Sequence, residues 1–255
     1  MTTITETPST GPQPDQPPTP APSRRPRRWW RRPWIAPLAV LSIVFVAFSL
    51  PPYLTFDPTQ SRVPQPEWLT AAHYPILVGH VTFGSIALLT ACLQIWPWFR
   101  QRYRTAHRVI GRVYVFGGVL PAGIMALTIG AVSPYGPVAR VSNVLLAALW
   151  LTCTVVGYRM ARQRRYADHR RWMIRSFALT ASIITNRIWG VFAYLALAPQ
   201  LETTFGGSEE LLSWTIAGIT TWVGWTVPLL VSQWWLDRTE SPAHRQRLAT
   251  GGRTG

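Results

Sequence analysis

Six apolar segments, each close to the length that crosses a lipid bilayer, constrain this chain more than any other feature. They cover roughly residues 34–54, 74–98, 110–131, 138–158, 173–198 and 210–235. A transmembrane α-helix needs about 20 predominantly apolar residues. In lipid, only helices and closed barrels satisfy every backbone polar group. The sequence therefore predicts an all-α fold, a polytopic membrane helical bundle of about six transmembrane helices.

The basic residues are all arginines, and they concentrate on alternate connections between the apolar segments. They precede the first segment, separate the second from the third and the fourth from the fifth, and follow the sixth. The remaining connections carry only two arginines, Arg62 and Arg140, together with acidic residues that include Glu202, Glu209 and Glu210. Basic residues stay on the cytoplasmic side during membrane insertion. This pattern predicts a multi-pass protein of the bacterial cytoplasmic (plasma) membrane with both termini in the cytoplasm.

Composition divides the chain into three parts. Residues 1–33 are rich in Pro and Arg and poor in apolar residues, so we expect a disordered cytoplasmic tail. A six-helix transmembrane domain at 34–236 and a short cytoplasmic tail at 237–255 follow. The net charge of +15 suggests a nucleic-acid partner at first sight. Because the arginines alternate with membrane-length segments, we expect anionic lipids of the inner leaflet, and no nucleic acid, as the partner.

Two arginine-rich segments repeat one pattern. RQRYRTAHR at 100–108 and RQRRYADHR at 162–170 agree at five of nine positions. Two interpretations stay open: a parallel repeat of a two-helix hairpin, as in some membrane folds, or two independent arginine-rich turns. In either case the arginines suit contact with anionic headgroups. The candidate residues for headgroup contact are Arg100, Arg108, Arg112, Arg170 and Arg175.

Each repeated segment also contains a histidine, His107 in the first and His169 in the second. Neutral imidazole binds metals, and His residues hold haem iron axially. The two histidines are therefore candidate haem ligands, with haem b as the cofactor, or parts of a quinone redox site. The alternative is that both are ordinary interfacial residues. No metal-site or disulfide spacing is present, and Cys92 and Cys153 suit packing.

Polar residues inside two apolar segments are candidate ligand-binding residues. In the second segment His73, His80, Ala87 and Gln94 recur every seven residues and share one helix face. In the fifth, Asn186 stands beside Arg187, which we place near mid-membrane. A central Arg costs about 2.5–3.5 kcal/mol to insert, so it predicts an internal partner or a water-filled cavity. His80, Gln94, Asn186 and Arg187 thus point to a ligand or substrate site. A packing seam and a structural capping role are the alternatives.

The motifs GHVTFGSIALLTACLQIWPWFR, HRVIGRVYV and DHRRWMIRSFALTASIITNRIW resemble the bacterial membrane proteins of the domain-of-unknown-function family numbered 2306. The likeness covers roughly residues 73–192 and leaves the tail and the final segment outside. It implies a multi-pass membrane protein and names no reaction. A looser likeness to six-helix b-type cytochromes allows one haem, since His73 and His80 share a helix. Three functions remain open: ligand binding or transport, redox chemistry, and a structural role that grips anionic lipid headgroups. Whether the protein is an enzyme also remains open.

Overall fold

The structure is a computed structural model that describes residues 34–64 and 70–239. Regular structure in those residues is helical, without a strand, which confirms the predicted all-α class. The predicted disordered tail at 1–33 lies outside the described residues. So does the predicted tail at 237–255, except for 237–239, which end the last helix.

Nine α-helices lie in the described part of the chain, in this order: α1 (Ile35–Ser49), α2 (Pro51–Leu54), α3 (Thr70–Ile95), α4 (Pro97–Arg102), α5 (Arg104–Arg112), α6 (Leu120–Ala131), α7 (Gly136–Arg162), α8 (Tyr166–Leu197) and α9 (Glu209–Thr239). A π-helical segment, Val113–Val119, joins α5 to α6. These three elements form one continuous span, called the third span below. Short 3₁₀ turns stand at Pro58–Gln60 and Ala198–Gln200.

Five helical spans in the described residues are long and apolar enough to cross a membrane. They are Ala71–Ile95, Arg104–Ala131, Gly136–Arg162, Tyr166–Gln200 and Glu209–Thr239. The first predicted span is shorter, because α1 has only 15 residues. It ends beside Pro51, which lacks a backbone N–H, and α2 then continues it by one turn. The result is a helical membrane bundle of five long spans and one short apolar helix.

Four spans form a ring around the interior. α3 and α7 each pack against both the third span and α8. Outside this ring, α9 covers α7 and α8. Helix α1 packs against α3 and α8 through a cluster of Val46, Leu88 and Ile184.

The seven-residue seam predicted on α3 is the contact surface between α3 and the third span. Ala87 and Ala91 are 0% and 1% exposed. A Cβ on Gly118 would lie only 2.9 Å from Cα of Ala87, so the two backbones meet closely there. Small residues permit this approach in membrane helices. The seam therefore fixes how the third span sits in the ring.

A hydrogen-bonded layer closes the middle of the bundle. The hydroxyl of Tyr114, in the π segment, lies 2.6 Å from Oγ of Ser176 and 2.8 Å from Oγ1 of Thr180. The indole N–H of Trp150 donates to Thr180 at 2.8 Å, and the Thr154 hydroxyl lies 2.6 Å from Ser176. These side chains are all buried. We call this set the central layer; it separates the two ends of the bundle interior.

Candidate functional site

The four predicted ligand-binding residues do not form one site. Gln94 lies 14 residues beyond His80, about 21 Å along α3. Its side-chain amide donates to the backbone carbonyl of His107 at 3.2 Å. Gln94 therefore belongs with the histidines at the arginine-rich end of the bundle, where the segments 100–108 and 162–170 lie. His80, Asn186 and Arg187 belong to the opposite end, called the distal end, which carries the 132–135 loop.

The two repeated histidines come together at the arginine-rich end. His169 and Arg100 both lie close enough to His107 to act on its imidazole electrostatically. Nδ1 of His169 lies 2.8 Å from the carbonyl oxygen of Gly157. A carbonyl only accepts, so Nδ1 of His169 carries the proton and Nε2 holds the lone pair. Nδ1 of His107 is buried and has no hydrogen-bond partner among the described residues.

Close helix packing places these rings. A Cβ on Gly157 would lie 2.7 Å from Sδ of Met173, so α7 approaches α8 closely enough for the Gly157 carbonyl to reach His169. The two repeated segments differ at their starts, where α4 ends at Arg102 in the first and a short turn through Arg164 follows α7 in the second. Their second halves fold alike, since α5 begins at Arg104 and α8 at Tyr166. Their 62-residue offset still relates His107 to His169, and Tyr114 to Ser176. Corresponding positions of the two hairpins therefore face each other across the interior.

At the distal end the interior face of α8 is open. Positions 176, 180 and 187 lie within about 40° of one another around an α-helix. Ser176 and Thr180 are 0% and 5% exposed, facing the central layer. Arg187, on the same stripe, is exposed. Val191 and Tyr194 continue the stripe at 60% and 59% exposure. We call the exposed part of this face, formed by Arg187, Val191 and Tyr194, the distal recess.

Arg187 is less enclosed than predicted. It lies ten residues before Leu197, about 15 Å from the end of α8. Its guanidinium makes no hydrogen bond or ion pair with the residues in 34–64 and 70–239, so the first of the two predicted alternatives, an internal partner, is not found there. Tyr135, in the 132–135 loop, lies within electrostatic range. Sequence reasoning missed Tyr135, because nothing in the sequence indicated which loop folds towards α8.

His80 and Asn186 have structural contacts. Nδ1 of His80 lies 2.9 Å from the carbonyl oxygen of Ala122, which ties α3 to α6 and leaves Nε2 as the lone pair. Asn186 packs against Gly224 of α9, where an added Cβ would lie 2.9 Å from Cβ of Asn186. Asn186 therefore faces α9 rather than the distal recess.

The candidate headgroup arginines fall into two groups. Arg100, Arg108, Arg112 and Arg170 are exposed at the arginine-rich end. Arg175 is half-buried: its Nε and Nη2 donate to Oε1 of Gln233 at 3.1 and 2.7 Å. Its guanidinium also lies 4.8 Å from the centre of the Trp172 ring. Arg175 thus connects α8 to α9.

Across the described ranges, no cluster of three or more His, Cys, Asp or Glu side chains could hold a metal ion. Both cysteines are free and buried. Any metal-centred chemistry at the arginine-rich end would therefore depend on His107 and His169.

These features define a multi-pass helical membrane protein whose interior carries one histidine pair and one open arginine. Residues 77–236 match the family described as a predicted membrane protein (DUF2306), and the chain belongs to that family. The match extends through α9, so the family region is longer than the predicted 73–192 and includes the final span. No curated protein and no solved structure matches the chain.

Proposed function

We propose that this membrane protein binds an anionic ligand in the distal recess, with Arg187 as the charged contact. The observation that carries the proposal is the change along one stripe of α8. The stripe is sealed at Ser176 and Thr180 and open at Arg187. An unpaired guanidinium at membrane depth is costly and marks substrate or ligand pathways. An anionic group bound to Arg187 would offset that cost.

The lining of the recess narrows the ligand class. Val191 and Tyr194 give it an apolar wall next to the charge. Ligand sites typically combine apolar lining with a few polar groups that fix orientation. We therefore expect an anion with an apolar portion, such as an organic carboxylate, in preference to a small inorganic ion. The central layer separates this recess from the arginine-rich end, as a binding or transport role requires.

We assign the arginine-rich end to the cytoplasmic side of a bacterial plasma membrane. The positive-inside rule supports this orientation. Arg100, Arg108, Arg112 and Arg170 would then contact anionic lipid headgroups. Replacing Arg162, Arg164 and Arg165, which are exposed at the same end, by Gln should reduce the anionic lipid that co-purifies with the protein. Unchanged lipid content would count against the headgroup role.

The recess can be tested by thiol labelling and by thermal stability. In intact cells, Arg187→Cys should react with a membrane-impermeant thiol reagent added from outside, while Thr180→Cys in the central layer should not. The native thiols at Cys92 and Cys153 are buried and give a low background. For binding, octanoate and benzoate should raise the unfolding temperature of the purified wild type, and Arg187→Gln should abolish the rise.

Arg140→Gln is the matched control for the binding test. Arg140 is also exposed near the distal end, but its Nε donates to the Ser133 carbonyl at 2.7 Å. This variant should keep the response to octanoate. Equal loss of the response in both variants, or no stabilisation of the wild type by octanoate, benzoate, phosphate and sulfate, would refute the proposal.

A redox role for His107 and His169, through haem b or a quinone, is the second candidate. The electrostatic effect of His169 on His107, and their corresponding positions in the two repeated segments, favour it. In histidines that ligate metals, the other ring N–H usually donates to a partner such as a backbone carbonyl. His169 donates to the Gly157 carbonyl in this way, so its ring could ligate haem iron. His107 lacks such a bond. A haem held by the pair would supply one-electron transfer. Purified protein should then show a Soret band that His107→Ala with His169→Ala removes.

A further inference from the structure

We propose that His107 and His169 bind a lipid-soluble hydroquinone or related phenol at the arginine-rich end of the bundle. The proposal rests on the second candidate function and specifies its ligand class. It is independent of the distal recess, because the central layer lies between the two places.

The hydrogen-bonding groups of this site require a ligand with both a donor and an acceptor. Nδ1–H of His169 is committed to the Gly157 carbonyl, so Nε2 accepts and needs a donor. A phenolic O–H is such a donor, whereas a quinone carbonyl is not. A ligand oxygen can in turn accept from Arg100, whose charge acts on His107.

The orphaned nitrogen of His107 supports a bound ligand. A buried polar atom without a partner is costly, and buried polar groups in native proteins are nearly always satisfied. Nδ1 of His107 is such an atom within the described residues. Gln94 donates to the backbone carbonyl of His107 and leaves the ring nitrogen without a partner. A ligand oxygen beside this nitrogen would remove the cost.

The interior is closed a short distance beyond the two histidines. Tyr114 and Ser176 lie seven residues beyond His107 and His169, about 10 Å along the helices. There the two sides of the interior are joined by a direct hydrogen bond of 2.6 Å. Met173 and Trp172 pack against Gly157, whose carbonyl holds His169. A single six-membered ring needs less depth than a macrocycle and therefore suits this closure better.

The test uses the full chain in detergent, with trimethylhydroquinone kept reduced as the probe. Its dimethyl ether is the matched control ligand, since it has the same ring without hydroxyl donors. The hydroquinone should raise the unfolding temperature of the wild type and the ether should not. His169→Ala and His107→Ala should each weaken hydroquinone binding by about tenfold, as expected for one lost hydrogen bond. Tyr166→Phe, an exposed position on α8, should bind normally.

Three results would overturn the proposal. The first is equal stabilisation of the wild type by the hydroquinone and its ether, which decides the matter even if the histidine variants fail to fold. The second is no response to the hydroquinone at all. The third is a Soret band that depends on both histidines, which would assign the pair to haem iron and leave the redox candidate standing. If the purified wild type showed neither a hydroquinone response nor a Soret band, the redox candidate would be refuted as well.

Discussion

The two ends of α8 hold their basic side chains in opposite ways. At the arginine-rich end, His169 and Arg175 each donate a hydrogen bond to another helix. At the distal end, Arg187 is exposed and no described residue holds it by a hydrogen bond. The same stripe of α8 passes from fully buried at Ser176 to open at Arg187 in three turns. The difference indicates preformed geometry at one end and room for an incoming charge at the other.

The central layer allows the two ends to differ because it keeps the buried polar groups between them hydrogen-bonded. Its hydroxyl and indole groups satisfy one another, so a polar stripe passes through the core without leaving a described member unpaired. Satisfied buried networks stabilise a unique packing, and partly satisfied ones are costly. Breaking the layer, or the backbone contact beside it, should therefore have the largest effects on the molecule.

The largest effect should come from Gly118→Val. A Cβ there would lie 2.9 Å from Cα of Ala87, and backbone cannot move aside as a flexible side chain can. Overpacking of this kind costs about 3 kcal/mol. Thermal unfolding in detergent should show a lower midpoint. Gly84→Val is the control, because no atom lies within 4 Å of its added Cβ. Similar losses for the two variants would contradict close packing at the seam.

Tyr114→Phe should have the next largest effect. The change removes one hydroxyl that serves both Ser176 and Thr180 and leaves the ring in place. A lost buried hydrogen bond costs about 1–3 kcal/mol. Thr180 keeps its bond from Trp150, so we expect the lower half of that range. Tyr194→Phe, at an exposed position, should leave the unfolding midpoint unchanged; a neutral Tyr114→Phe would show that the layer is not a closed network.

Much of the fold could be predicted from the sequence because its signals are local. Apolar length located the spans, and the seven-residue rhythm of His80, Ala87 and Gln94 indicated the α3 seam. The repeated segments indicated that His107 and His169 correspond, and the structure places both at the arginine-rich end, where His169 acts electrostatically on His107. Each of these signals depends on spacing within one helix or on direct sequence similarity.

The remaining features depend on how helices rotate against one another. Arg187 and Asn186 are neighbours in sequence, yet Asn186 faces α9 and Arg187 faces the recess. Their polarity alone could not separate these roles. The π segment gave no composition signal, since VYVFGGV reads as an ordinary apolar stretch. The contact of Arg175 with Gln233 joins positions 58 residues apart, beyond the reach of helix periodicity.

Arg187→Leu should make the ligand-free protein more stable, by about 1 kcal/mol. An unpaired cation at membrane depth is costly, and Leu would extend the apolar wall formed by Val191 and Tyr194. The same variant should lose its response to octanoate. Thermal unfolding with and without octanoate measures both effects. Lower stability of Arg187→Leu would indicate a structural capping role, and the contrast between the two ends would fail.

The smallest effect concerns Asp57, in the connection between α1 and α3. Oδ1 of Asp57 accepts from the Thr59 side chain at 2.8 Å and from the Thr59 backbone N–H at 2.9 Å. Both bonds favour the carboxylate and lower the pKa of Asp57 below its ordinary value of 3.8, and the bond from the Thr59 side chain has the larger effect. The stabilisation is therefore fully present above the ordinary pKa and is lost as the pH falls through the lowered folded pKa.

An NMR titration of the Thr59 amide in detergent measures this directly. The midpoint should lie below 3.8, the ordinary pKa of the Asp57 carboxyl, and Asp57→Asn should remove the transition. Since these side-chain bonds of Asp57 join residues only two positions apart, the global unfolding temperature should hardly change with either the variant or the pH. A midpoint at or above the ordinary pKa would mean that Thr59 does not hold the carboxylate.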